Sequence, residues 1–199
     1  MGIRNTLAVV YTVECAKVVA ARIARQFKGT QLFGRHTGCS WSEPMFSRLA
    51  ALGKHPNVGA VLVVGLGCEY IEAHPLATEI ATSGKPVASL VITESGGTLK
   101  PIEAGCRLLE DLAEQVSRTP RAPISPAQLI VAMDCAGSDA TSGPASNPAV
   151  GVAADKLVQD RHGRAQALMN TGVWGFAGSG GVPLQHVQRR PLFYSTQIA

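Results

Sequence analysis

Aromatic residues make up only 5% of this 199-residue chain, and no lysine- or arginine-rich run accompanies them. Nucleic-acid binding needs stacking faces and a basic track along phosphates, so this composition argues against it. No uninterrupted apolar run approaches the roughly 18 residues of a membrane-spanning helix. The amino terminus has no basic segment followed by an apolar stretch and a small-residue cleavage site, so no secretory signal is read. The five cysteines are odd in number and lack the spacing of a disulfide framework, which predicts thiols in a reducing, cytoplasmic compartment. No CxxC pair is present, which ranks thiol–disulfide chemistry last. The Walker A, GxSxG and HExxH strings are all missing, removing the commonest NTPase, hydrolase and zincin readings. In GLGCEY, Tyr70 stands where a GxGxxG fingerprint needs its third glycine, which argues against a dinucleotide. Acid is missing altogether beyond Asp160, so the net charge of +4 is carried by Arg161, Arg164, Arg189 and Arg190 in the tail.

What is present is an alternation of strand-like and helix-like segments. With 46% hydrophobic content the chain can bury one sizeable core. Thr6 to Val13 is a continuous apolar run of the kind that forms a strand buried on both faces. From Ala16 to Phe27, Val19, Ile23 and Phe27 recur at helical spacing, and Gly29 closes the segment. Gln31 to Phe33 reads as a second strand, and helix-compatible residues resume near Glu43 and stop at Gly53 and Pro56. Val58 to Val64 is the clearest strand. His74 to Ser83 reads as a helix, Val87 to Ile92 as a strand, and a long helix begins at Leu99. The proline-rich TPRAPISP, residues 119–126, breaks that helix. Leu129 to Met133 reads as a fifth strand, and Pro148 opens a last helix to about Val158. Five strand–helix alternations predict an α/β fold: an open, mostly parallel sheet of about five strands with helices on both faces. The domain is expected over residues 1–160, with an irregular extension over 161–199.

Three cysteines occupy equivalent places. Cys15, Cys68 and Cys135 each end a strand-like run, and in an open α/β sheet the carboxyl ends of parallel strands line the ligand crevice. Thiolates are soft ligands for iron, zinc or an iron–sulfur cluster, although a free cysteine can equally pack as a small hydrophobe. Cys106, on the apolar face of a helix, reads as packing. His36 and Cys39 in GRHTGCSW form a second candidate, as a shared metal site or a base–thiol pair. His55 and His74, each before a proline, read as turn or capping residues. Ser95, Gly96, Gly97 and Thr98 lie between a strand end and a helix start, where backbone N–H groups can cradle a carboxylate or phosphate. Glu94 beside them and Glu69 in GLGCEY are candidate acid–base carboxylates. GSDATSG adds Ser138, Asp139 and Thr141 as partners for sugar hydroxyls, or as plain turn residues.

The strings GIRNTLAVVYTVECA, HPNVGAVLVVGLGCEYIEA, ITESGGTLKPIEAGCRLLEDLA and MDCAGSDATSGPASNPAVGVAADKLV closely resemble the catalytic, carboxyl-terminal region of the altronate and galactarate dehydratase family. The large subunit of sulfolactate sulfo-lyase belongs to that family too. The resemblance runs from Gly2 to about Val158. It implies a hydro-lyase that removes water from a hexonate or hexarate to leave a 2-keto-3-deoxy acid, with iron, as Fe2+ or a cluster, as metal. On this basis Cys15, Cys39, Cys68 and Cys135 are expected to hold or line the metal and His36 to act as general base or further ligand. The Ser95–Thr98 turn is expected to bind the substrate carboxylate, and Ser138, Asp139 and Thr141 its hydroxyls. Family members carry further sequence on both sides, including a small amino-terminal domain or subunit. This chain opens on the GIRN string and its tail departs from the family's continuation, so it reads as a partial-length or frameshifted member that can self-associate. The other readings carried forward are an anion-binding α/β subunit without catalysis and a sulfo-lyase for a small sulfonated hydroxy acid.

Overall fold

A computed structural model describes residues 2–36, 38–125, 131–134, 140–159 and 167–170. The chain divides into two compact units, Met1–Pro120 and Arg121–Ala199. The boundary falls inside the proline-rich connection at 119–126, whereas the sequence carried one domain to about 160.

In the first unit four strands, β1 (Thr6–Tyr11), β2 (Gln31–Gly34), β3 (Val58–Gly65) and β4 (Val87–Val91), form a parallel sheet in the order β2-β1-β3-β4. Four helices connect or follow them: α1 (Lys17–Arg25), α2 (Glu43–Gly53), α3 (Ala73–Ala81) and α4 (Leu99–Ser117). Successive side chains of a strand point to opposite faces. Val9 and Tyr11 of β1, with Leu62 and Val64 of β3, therefore pack against Val19 and Ile23 of α1 and Leu109 of α4. Ala8, Val10, Val61 and Val63 pack on the other face against Leu49 of α2 and Leu76 and Ile80 of α3. Both faces of the central strands are thus covered, which is why β1 and β3 read as unbroken apolar runs. Each fully buried aliphatic side chain contributes about 1.5–3 kcal/mol by leaving water.

The second unit shows that strand identity and strand partner are separate matters. The segment expected as the fifth strand is β5 (Val131–Asp134), but it pairs in parallel with β6 (Ala167–Asn170) in a two-stranded sheet of its own. The four-stranded sheet is correspondingly one strand smaller than expected. β6 also lies inside the segment expected to be irregular. The last helix, α5 (Asn147–Gln159), has Pro148 in its first turn, where a missing backbone N–H costs nothing.

Candidate functional site

In the first unit the chain runs from β1 to one side of the sheet and returns on the other side at β3, so the topological switch point lies between those strands. Ligand crevices of open α/β sheets form there, beyond the carboxyl ends. Each strand delivers polar or nucleophilic residues to this rim. Glu14 and Cys15 follow β1, His36 and Cys39 follow β2, Cys68 and Glu69 follow β3, and Glu94 to Thr98 follow β4.

Glu69 fills the switch point itself. Its side chain is buried, and its Oε1 accepts hydrogen bonds from Thr12 Oγ1 at 2.5 Å and Leu66 N at 3.0 Å. Its Oε2 accepts from Gly67 N at 2.8 Å and Cys68 N at 3.1 Å. Burial alone would raise this carboxyl's pKa, but the Thr12 hydroxyl and the backbone N–H groups together hold it below the usual carboxylate value. A carboxylate with both oxygens occupied shapes the β3–α3 turn and ties it to the end of β1. Gly67 makes that turn feasible, with φ of +112° and Thr93 Oγ1 where a Cβ would project.

On the β2 side, Tyr11 Oη lies 3.0 Å from His36 Nδ1, and Glu14 Oε2 lies 3.3 Å from the same nitrogen. Glu14 Oε1 accepts a hydrogen bond from Lys17 Nζ at 3.1 Å. That bond, with the positive charge around it, lowers the Glu14 pKa. Burial, reinforced by the Glu14 charge, pushes the Tyr11 phenol up to about 12. Gly34 lies directly beneath the Tyr11 ring, where any Cβ would collide with it.

The open space lies on the other side of Glu69, between the turns that follow β3 and β4. A cleft of about 290 Å3 is lined there by Cys68, Glu69, Tyr70, Glu72, His74 and Glu94, among others. His74, in the first turn of α3, faces Ser89 Oγ through Nδ1 at 2.7 Å and Glu94 Oε2 through Nε2 at 3.9 Å. Of the two roles expected for His74, turn or cap, the turn position holds, since it lies in the first turn of α3; the cap does not, because Glu72 occupies the N-cap position and no side-chain hydrogen bond caps the helix. The dipeptide His-Pro signals a turn but not which neighbours the ring meets; here the ring is largely exposed at the edge of the cleft. Beyond Glu94, Ser95 Oγ donates to Val91 O at 2.9 Å. Gly96 and Gly97 have φ of +75° and +101°, and Thr98 leads into α4 with no side-chain cap.

The expected site residues therefore fall into groups. Cys68, Glu69 and Glu94 share the cleft, with the Ser95–Thr98 turn following directly on Glu94. His36 belongs with Tyr11 and Glu14. Cys15, Cys39 and Cys68 are all exposed, and Tyr70 N donates to Cys39 O at 3.0 Å, tying the Cys39 loop to the β3–α3 turn. Cys106 is half-buried on α4, its thiol pKa raised by burial and by Glu110. Cys135, Ser138 and Asp139 lie outside the described residues, and Thr141 is exposed in the second unit. Exposed thiols on one rim are chemically suited to iron. Among the described residues, however, no group of three His, Cys, Asp or Glu side chains forms a metal site.

A doubly wound parallel α/β unit with an acid–base cleft and free thiols at its carboxyl rim defines the class of protein. Residues 1–117 match the profile of the D-galactarate dehydratase/altronate hydrolase second domain, and residues 126–171 match that of the D-galactarate/altronate dehydratase C-terminal domain. The chain belongs to this family. The second match extends to residue 171, beyond the Val158 at which the resemblance was expected to end. Altronate dehydratase of Escherichia coli K12 is 30% identical over 172 residues, covering 79% of this chain and 34% of that enzyme. Subunit beta of (2R)-sulfolactate sulfo-lyase from Chromohalobacter salexigens is 31% identical over 163 residues, covering 80% of this chain and 41% of that subunit. Galactarate dehydratase (L-threo-forming) of Escherichia coli K12 is 34% identical over 112 residues, 53% of this chain and 21% of the enzyme. The chain thus spans between a fifth and two fifths of the length of these relatives.

Proposed function

We propose that this chain carries the acid–base cleft of a sugar-acid hydro-lyase, acting on altronate, galactarate or a related hexonate or hexarate. The observation that carries this reading is the cleft between β3 and β4, where Glu94 and His74 lie beside a glycine-rich turn in a family member whose relatives are named dehydratases.

Dehydration next to a carboxylate removes the proton on C2 and expels hydroxide from C3. The resulting enol rearranges to the 2-keto-3-deoxy acid. The Ser95–Thr98 turn, with backbone N–H groups at the start of α4, binds the substrate carboxylate, where the helix dipole also favours negative charge. Glu94, exposed at the cleft, takes the C2 proton as general base. His36 is held on the β2 side by Tyr11 and Glu14 and serves that side of the rim. Glu69 keeps the β3–α3 turn in shape. Iron is the proposed metal: Cys15, Cys39, Cys68 and Cys135 would be its thiolate donors, and it would supply Lewis-acid stabilisation of the developing charges. The described residues do not close a three-ligand site, so the proton transfers are assigned to side chains alone.

A small amino-terminal-domain subunit and a second copy of the chain are the proposed protein partners, and the cytoplasm is the proposed compartment. Among the described residues no helix is long and apolar enough to cross a membrane. The sulfo-lyase relative favours a second substrate class, because loss of sulfite from a sulfonated hydroxy acid begins with the same proton removal.

Anaerobically purified protein is expected to contain iron and to convert altronate or galactarate to a keto acid trapped as its hydrazone. Sulfolactate is the parallel assay. Protein that holds no iron and turns over neither sugar acid, alone or with an added amino-terminal subunit, would contradict the reading.

A further inference from the structure

Expelling hydroxide requires a proton at the leaving oxygen, and the roles above assign no residue to deliver it. We propose that His74 is the general acid of the cleft, oriented by Ser89 and reset by Glu94. This rests on the dehydratase reading and deepens it.

Ser89, on β4, is hydrogen-bonded to one nitrogen of the imidazole, and Glu94, beyond the end of the same strand, lies near the other. Ser89 Oγ sits 2.7 Å from Nδ1, and Glu94 Oε2 sits 3.9 Å from Nε2. When the serine hydroxyl donates to Nδ1, the neutral ring carries its hydrogen on Nε2. In the imidazolium, Nδ1–H donates to Ser89 and Nε2 again carries hydrogen. Both forms present an N–H donor on the side of Glu94 and the cleft. The titratable groups that line the cleft with His74 are Glu94 from the β4–α4 turn, Glu69 and Cys68 from the β3–α3 turn, and Glu72 just before α3. Glu69 is saturated by its four donors, which leaves Glu94 as the carboxylate paired with the ring.

The protons balance within this pair. Glu94 takes the C2 proton as the C2–H bond breaks and the C2=C3 bond forms. The C3–O bond breaks, and Nε2–H of the imidazolium gives its proton to the departing oxygen, releasing water. The neutral imidazole, left with its hydrogen on Nδ1 and Ser89 Oγ as acceptor, then recovers a proton at Nε2 from the Glu94 carboxylic acid, and both groups return to their starting state.

A leaving group that departs as a stable anion needs no such proton. In the full chain, His74→Gln is expected to lower kcat/KM on galactarate or altronate by about 10²–10⁴-fold. Turnover of the 3-deoxy-3-fluoro analogue, which releases fluoride, should stay close to wild type. Equal losses on both substrates, or no loss on either, would overturn the role. If His74→Gln does not fold, Ser89→Ala is expected to reproduce the same selective loss at smaller size, and an equal loss on both substrates would count against the proposal. A second readout separates this inference from the reading beneath it. Galactarate added to the wild-type chain should shift the ¹⁵N resonance of His74 Nε2. If the wild type turns over neither sugar acid but this resonance shifts, the dehydratase reading and the general-acid role both fail and only a ligand contact at His74 remains. An unmoved resonance overturns the proposal whether or not the chain is active.

Discussion

Glu69 shows how strongly one side chain can be committed to its surroundings. Four donors converge on its two oxygens, and the carboxylate alone satisfies all of them. Glu69→Gln replaces one acceptor oxygen with a donor that faces other N–H groups. Leaving a buried donor unpaired costs about 1–3 kcal/mol, so chemical denaturation should show a loss of that order, and unchanged stability would contradict the assigned contacts. Tyr11 makes a different prediction. Its phenol pKa rises from the ordinary 10.0 to about 12 in the folded protein. The stabilisation linked to that shift is therefore fully present below pH 10 and is lost as the pH rises through about 12. Of the three tyrosines, one should form tyrosinate only near pH 12, and Tyr11→Phe should remove that component from the alkaline absorbance titration. A wild-type titration without a late component would contradict the burial of Tyr11. Both residues sit at strand ends, yet only the chemistry of Glu69 was flagged in the sequence, and there as catalytic. Its spacing from Thr12 is 57 positions, a contact that no local pattern reveals.

At the scale of elements, the sheet of the first unit depends on helices laid across both faces. Leu109 of α4 is fully buried against β1, β3 and α1. Leu109→Ala should lower unfolding free energy by about 2–5 kcal/mol in urea, with the denaturant slope unchanged. A loss below about 1 kcal/mol would mean that α4 does not seal that face. The elements that periodicity identified well are those buried on both faces or striped on one. The expected Val58 to Val64 is Val58–Gly65 in the structure, and the helix expected near Glu43 to Gly53 has those bounds. Short runs carry less information. LIVAM marked β5 as a strand but held nothing that selects its neighbour, and the four residues of β6 are too few to show a period. Within the first unit, the residues that follow β1 to β4 lie at the carboxyl ends expected of them, whereas Cys135 lies outside the described residues. Which of these share a cleft was not legible, because that depends on how the β3–α3 turn folds around Glu69 beside the turn after β4.

For the whole molecule, the family match extends over both units, and the proposed chemistry lies at the rim of the first. The two domain profiles meet close to the boundary between the compact units, so sequence family and structure divide the chain at the same connection. The strand-end cysteines first drew attention to the rim. The cleft lined by His74 and Glu94 is where the proposed acid–base chemistry falls. The most direct measurement is a backbone amide NMR titration of the full chain with galactarate and altronate. Shifts should concentrate at Gly67–Tyr70, His74 and Glu94–Thr98, with little change at the amino-terminal ends of the strands. Saturating shifts confined to other surfaces, or none with either sugar acid, would contradict the placement of the substrate at this rim.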